Sequence, residues 1–132
     1  MPSDIIAERA FEFARRIVKL CTKLWGRGPA ARKIADQLFD CGTSIGANSE
    51  EAEGGQSKPD FTAKLAIARK ESHETIFWLR LALVSNVVTK DEIAWELDEA
   101  HQLRAMITQA VITAQSSSSR TPRLLRDGSH EP

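Results

Sequence analysis

Apolar residues recur along this chain at steps of three and four, the period of an amphipathic helix and not the alternation of a strand. Ile6, Ala10, Phe13, Ile17, Leu20 and Leu24 form the first row, with Glu8, Arg15, Lys19 and Lys23 among the polar residues between them. The second row is Ala31, Ile34, Leu38, Cys41, Ile45, Asn48 and Ala52. Phe61, Leu65, Ala68, Ser72, Ile76, Leu79 and Leu83 make the third. Ile93, Leu97, Ala100, Leu103, Ile107, Ala110 and Ala114 make the fourth.

The rows are separated by residues that stop and start helices. Ser3 is placed to cap the first helix. Gly26 to Pro29 ends it and opens the second, with Pro29 near a first helical position where its missing N–H costs nothing. Gly54-Gly55 is a natural stop. Ser57 with Asp60 resembles a capping box, with aspartate in place of the usual glutamate, and Thr89 with Glu92 is a full one. Four amphipathic helices of about 22 residues, each about 33 Å long, joined by short loops, predict an all-α fold. Its expected form is an antiparallel up-down-up-down four-helix bundle.

Beyond Gln115 the composition shifts to SSSSRTPRLLRDGSHEP, which has no helical period. The expected organisation is a bundle over residues 1–115 and a flexible serine-rich C-terminal tail over residues 116–132. Arg120, Arg123 and Arg126, with Leu124 and Leu125, offer a short contact segment as the alternative reading.

A polar cluster interrupts the second row. Folding the second and third helices back on each other near residue 56 sets position i against about 112 − i, by antiparallel hairpin geometry. Asn48 then faces Lys64 and Leu65, Glu51 faces Phe61 and Lys64, and Gly46 lets these two backbones approach. A paired buried polar group can fix register, so Asn48, Glu51 and Lys64 read as a structural cluster. A chemical site is the competing reading.

Lysine plus arginine is 18 and aspartate plus glutamate is 18, so the formal net charge is zero. That argues mildly against a dedicated nucleic-acid binder. The charges are not evenly spread. Residues 1–25 and 56–86 each hold five basic and three acidic side chains; residues 26–55 hold three and five, and residues 87–115 two and five. Basic and acidic helices therefore alternate. Complementary pairing within the bundle, or between copies, explains this. The functional alternative is a basic nucleic-acid-binding surface where the first and third helices lie near each other, with Arg9, Arg16, Lys19, Lys23, Arg69 and Lys70 as its candidates.

Phe11, Val18 and Trp25 repeat every seven residues beside the main row of the first helix, and Trp78 and Trp95 sit beside the third and fourth rows. These five are candidates for an oligomer interface. Widening of the core stripe is the other explanation.

Catalytic chemistry finds little support. Asp98 to His101 spells DEAH, but no phosphate-binding loop precedes it. Asp98 and His101 give one imperfect copy of the carboxylate–histidine pairs of di-iron bundles, which need two. No nucleophile elbow and no convincing cysteine–histidine pair is present. The chain is expected not to be an enzyme and to carry no metal or cofactor. Cys21 and Cys41 lie on apolar rows and read as buried free thiols, a disulfide being the alternative. No signal peptide opens the chain and no window approaches a membrane span, so a cytoplasmic location is expected.

The combination Ser44-Ile45-Gly46-Ala47-Asn48, Glu51-Ala52, Ser57, Asp60-Phe61, Lys64-Leu65, Lys70-Glu71, Glu74 and Trp78-Leu79, with Phe11 to Leu20 before it, resembles the bacterial four helix bundle protein family. This is the family encoded by the intervening sequence of some 23S ribosomal RNA genes, and the likeness spans roughly residues 5 to 112. The resemblance implies an antiparallel four-helix bundle and a ring-like homo-oligomer, a pentamer. The accessory protein of diversity-generating retroelements shares the fold, partners a reverse transcriptase and binds nucleic acid through a basic surface. RNA, DNA or a reverse transcriptase are therefore implied partners, but this chain is neutral where that protein is markedly basic. The role of the intervening-sequence branch is not established, and the resemblance carries over no catalytic residue. The function expected first is that of a non-enzymatic oligomeric bundle serving as a nucleic-acid- or reverse-transcriptase-associated accessory protein; a protein-interaction or scaffolding oligomer with no nucleic-acid role is the alternative.

Overall fold

The computed structural model describes residues 2–55 and 57–129, with the side chains of Pro2 and of residues 117–129 outside the description. Four helices run in chain order: α1 (Pro2–Trp25), α2 (Pro29–Glu53), α3 (Lys58–Val84) and α4 (Lys90–Ser129). No strand occurs among the described residues. Helix α4 continues past Ala114, the last apolar position of its row. The tail expected over residues 116–132 falls almost wholly on residues whose side chains, or whole placement, lie outside the description.

The helix boundaries follow from local chemistry. Gly28 takes φ 107°, a left-handed conformation that favours glycine, and Pro29 then opens α2. The Ser57 hydroxyl accepts the Asp60 amide at 3.3 Å to cap α3. The α3–α4 turn passes through Asn86 at φ 61°, which asparagine tolerates better than most residues. The box at α4 closes reciprocally: the Thr89 amide donates to Glu92 at 2.8 Å and the Glu92 amide to the Thr89 hydroxyl at 3.2 Å.

Each helix turns its apolar row inward. Phe13, Ile17, Leu24, Leu38, Ile45, Leu65, Leu79, Leu103 and Ile107 are fully buried and belong to one core. Helix α1 packs on α2 and α4, and α3 packs on α2 and α4; α1 and α3 stand diagonally and do not touch. A closed four-cornered bundle follows, with every helix flanked by its sequence neighbours and α4 closing on α1.

The α1–α2 seam is the tightest in construction. A Cβ placed on Gly46 would stand 3.2 Å from the Ala10 carbonyl oxygen, and one on Gly42 would stand 2.9 Å from the Ile17 side chain. Two glycines one turn apart thus let α2 approach α1. The sequence reading gave Gly46 this task toward α3; the close contact is with α1.

Candidate interaction surfaces

The polar cluster on the α2–α3 hairpin is partly as the sequence predicts. Lys64 Nζ lies 2.8 Å from Glu51 Oε1, in the expected register. Asn48 is half-buried and turns back on its own helix, donating to the Ser44 carbonyl and hydroxyl oxygens, both at 2.9 Å. Ser49 takes the core position instead, with its hydroxyl donating to the Ile45 carbonyl at 2.7 Å. A serine needs only that one carbonyl to satisfy its proton in the core. An asparagine would need more partners than the seam supplies.

The six basic candidates are divided between opposite corners of the bundle. Arg9 and Arg16 both turn toward acidic α4. Arg9 grips Glu99 with two bonds, Nε to Oε2 at 2.9 Å and Nη2 to Oε1 at 2.7 Å, and also donates to Gln102 and to the Met106 sulfur. Arg16 lies 3.6 Å from Glu96 and rests over the Trp95 ring at 4.2 Å. Glu96 and Glu99 are themselves buried, so the two arginines neutralise carboxylates that the seam has taken out of water. The Glu99 interaction holds the Arg9 pKa above its ordinary value. Lys19 and Lys23 remain exposed on α1; Arg69 and Lys70 are exposed on α3, which does not touch α1. No surface shared by α1 and α3 is formed.

The aromatic candidates separate in the same way. Trp95 stacks on Phe13 at 6.2 Å beneath Arg16 and belongs to the α1–α4 seam. Trp78 is half-buried against the core, edge-on to the exposed ring of Phe77 at 5.0 Å, and its indole N–H has no acceptor among the described residues. Phe11, Val18 and Trp25 are exposed, Trp25 to 49 %. Phe39 of α2, absent from the sequence reading, joins them at 47 % exposure. It lines a cleft of about 360 Å³ together with Val18 and Trp25. The pairing of α1 with α2 accounts for Phe39. With Cys21 Sγ donating to the Ala35 carbonyl at 3.3 Å and Gly46 meeting Ala10, α1 and α2 pair positions summing to 56, which sets Phe39 near Val18. Arg32 covers one side of the Trp25 ring at 5.7 Å. Phe11 lies apart, in a second cleft between the start of α1 and the end of α2.

Reactive groups are quieted by their surroundings. Burial pushes the Cys21 thiol up to about 12 and the Cys41 thiol up to about 11, and both cysteines are free. Asp98 accepts from Gln102 at 2.7 Å, and His101 is exposed. Burial, then Arg104 and Arg69, lower the His73 pKa, while burial and Glu74 raise that of Glu71. Among the described residues no group of three or more histidines, cysteines or carboxylates is arranged to hold a metal ion, and no helix is long and apolar enough to cross a membrane.

The sequence profile of the 23S rRNA-intervening sequence protein family matches residues 3–109. A crystal structure from Bacteroides thetaiotaomicron, of a protein of unknown function from the S23 ribosomal protein family, superposes with a TM-score of 0.76. It shares 32 % identity, over 84 % of this chain and 98 % of that one. Among curated proteins, none matches. The four-helix architecture, the match across most of the chain and the structural neighbour agree, and the chain belongs to the 23S rRNA-intervening sequence protein family.

Proposed function

We propose that the protein acts as a non-enzymatic, self-associating bundle whose copies dock through the outer face of the α1–α2 pair. One observation carries this reading: Val18, Trp25 and Phe39 present a contiguous apolar cleft to solvent. Leaving tryptophan and phenylalanine in water forgoes about 1.5–3 kcal/mol for each large side chain that a partner could bury. Raised thiol pKa values support the non-enzymatic part, since neither cysteine is a ready nucleophile at neutral pH. A ring-like homo-oligomer, a pentamer, is the assembly implied by the resemblance. The test is light scattering on the intact chain. The expected mass is a multiple of 14.6 kDa, falling toward the monomer in Trp25→Ala with Val18→Asp while helicity is kept. A wild-type mass of one chain at high micromolar concentration would refute it.

A second reading keeps a nucleic-acid or reverse-transcriptase accessory role. It is favoured by Lys19 and Lys23, exposed one turn apart on α1. Phosphate contacts of this kind give affinity that falls steeply with salt. Titration with structured RNA and with single-stranded and duplex DNA at about 50 and 200 mM salt separates the two readings. Salt-sensitive binding lost in Lys19→Glu with Lys23→Glu supports the accessory role; indifference to polyanions at both salts leaves the scaffold.

A further inference from the structure

On the outer side of the α3–α4 seam, like charges meet without a counter-charge. Arg69 and His73 are both exposed and lie one turn apart on α3, about 6 Å along the axis. The turn through Asn86 folds α4 back so that position i stands against about 174 − i, by antiparallel hairpin geometry. His73 then faces His101, and Arg69 faces the turn of α4 that carries half-buried Arg104. Arg104 and Arg69 both act electrostatically on the His73 ring and disfavour its charged form. Neither arginine has a carboxylate within ion-pair distance among the described residues.

The described carboxylates of α3 and α4 are turned elsewhere. Glu71 and Glu74 act on Cys41 of α2. Glu96 and Glu99 meet Arg16 and Arg9 of α1, and Glu92 meets Arg27. Asp98 accepts from Gln102 and acts on Arg9. Asp60 and Asp91 stand in the first turns of their helices, remote from the cluster. In the α1–α4 seam each arginine meets a buried glutamate; here arginines and histidines meet one another. Unpaired like charges at close range raise the energy of the free chain, and an anion placed among them relieves it. The cluster is compact, one turn of each helix, which suits a single group of high charge better than the spaced charges of an extended backbone.

We propose that Arg69, His73 and Arg104 form a binding site for one dianionic oxyanion, a phosphate monoester group, with His101 at its edge. The guanidinium groups donate to its oxygens, and His73 donates from its protonated ring. A dianion beside His73 favours the imidazolium, so a proton is taken up with the ligand and affinity rises as pH falls. The probe is sulfate, which keeps both charges throughout the range, at constant ionic strength set with chloride. In about 20 mM sulfate the wild type should melt higher than in matched chloride. Sulfate should bind about tenfold tighter at about pH 6 than at about pH 8. Nuclear magnetic resonance should show the His73 titration midpoint moving up with sulfate. His73→Gln should keep weakened binding and lose most of the pH dependence. Arg69→Gln with Arg104→Gln should abolish the sulfate effects and, in chloride alone, melt no lower than wild type. If circular dichroism shows that variant unfolded, Arg69→Gln alone, at an exposed position, takes its place. Lys19→Glu with Lys23→Glu should leave the sulfate response intact, which separates this site from the α1 lysines. Phenyl phosphate should compete with sulfate, and diphenyl phosphate, a diester with one charge, should not. Equal sulfate responses in wild type and the folded arginine variant, or a His73 midpoint that sulfate does not move, would overturn the proposal. Competition by the diester as strong as by the monoester would overturn it as well.

Discussion

Gly46 and Glu92 show how much single positions can carry. A methyl group on Gly46 would press on the Ala10 carbonyl oxygen from 3.2 Å. Two packed helix backbones cannot retreat as a flexible side chain can, so Gly46→Ala should destabilise the bundle by about 1–3 kcal/mol in urea unfolding. Glu92 caps α4 and also grips Arg27, which donates to the Val87 carbonyl as well. The Arg27 bond, then the Thr89 amide, lower its pKa from 4.5 to about 2. Because the folded value lies below the unfolded one, its stabilisation is full above about pH 4.5 and is lost as pH falls to about 2. Glu92→Gln should therefore melt lower than wild type at pH 7, and the two curves should converge near pH 2. The residue scale is also where the sequence misled. Asn48 and Ser49 are adjacent on a helix of period 3.6, and a heptad-like stripe drifts between them. Which one faces inward was decided by hydrogen bonding, through the single carbonyl that satisfies serine, and no apolar pattern records that.

Among the elements, the α1–α4 seam differs from the rest by its buried carboxylates. Arg9→Ala leaves the Glu99 carboxylate, only 11 % exposed, without its fork, and should cost about 2–3 kcal/mol. In Glu99→Ala with Arg9→Ala the total should be well below the sum of the single changes. Arg15, whose pairing with Glu12 is half-exposed on both sides, is the control; Arg15→Ala should stay within about 0.5 kcal/mol. The three interhelical breaks and the Ser57 and Thr89 caps were legible in the sequence, because Gly-Pro punctuation and caps act locally; the two outer ends were not, since α1 begins at Pro2, with Ser3 already inside it, and α4 runs on past Gln115. The inward turn of Glu96 and Glu99 was not legible. Their burial depends on arginines some 80 and 90 residues earlier, and composition alone reads such acids as a solvated face.

At the scale of the molecule, alternation of basic and acidic helices finds its explanation in the order of neighbours. Every seam joins one basic and one acidic helix, since α1 and α3 never meet. Short loops make consecutive helices adjacent, so the diagonal placement of α1 and α3 could have been read from loop length. It was masked by the attraction of a shared basic surface. The apolar face of Val18, Trp25 and Phe39 was half legible, as the seven-residue row on α1; its α2 member required the antiparallel pairing of the two helices.

The closed circuit of contacts carries a consequence for chain order. No seam depends on where the polypeptide is cut, because α4 returns to α1 and closes the circuit, although that seam is sparser than the one between α1 and α2. A circular permutant that opens the Ser85–Thr89 turn and links the end of the α4 core row to Ser3 would retain all four seams. Its folded state would differ only in which loop is closed, a change worth well under 1 kcal/mol for loops of similar length. Such a permutant should refold with the wild-type helical signal. This bundle is then a cycle of four junctions that can be entered at any loop, and its α1–α2 face is displayed regardless of which helix is translated first.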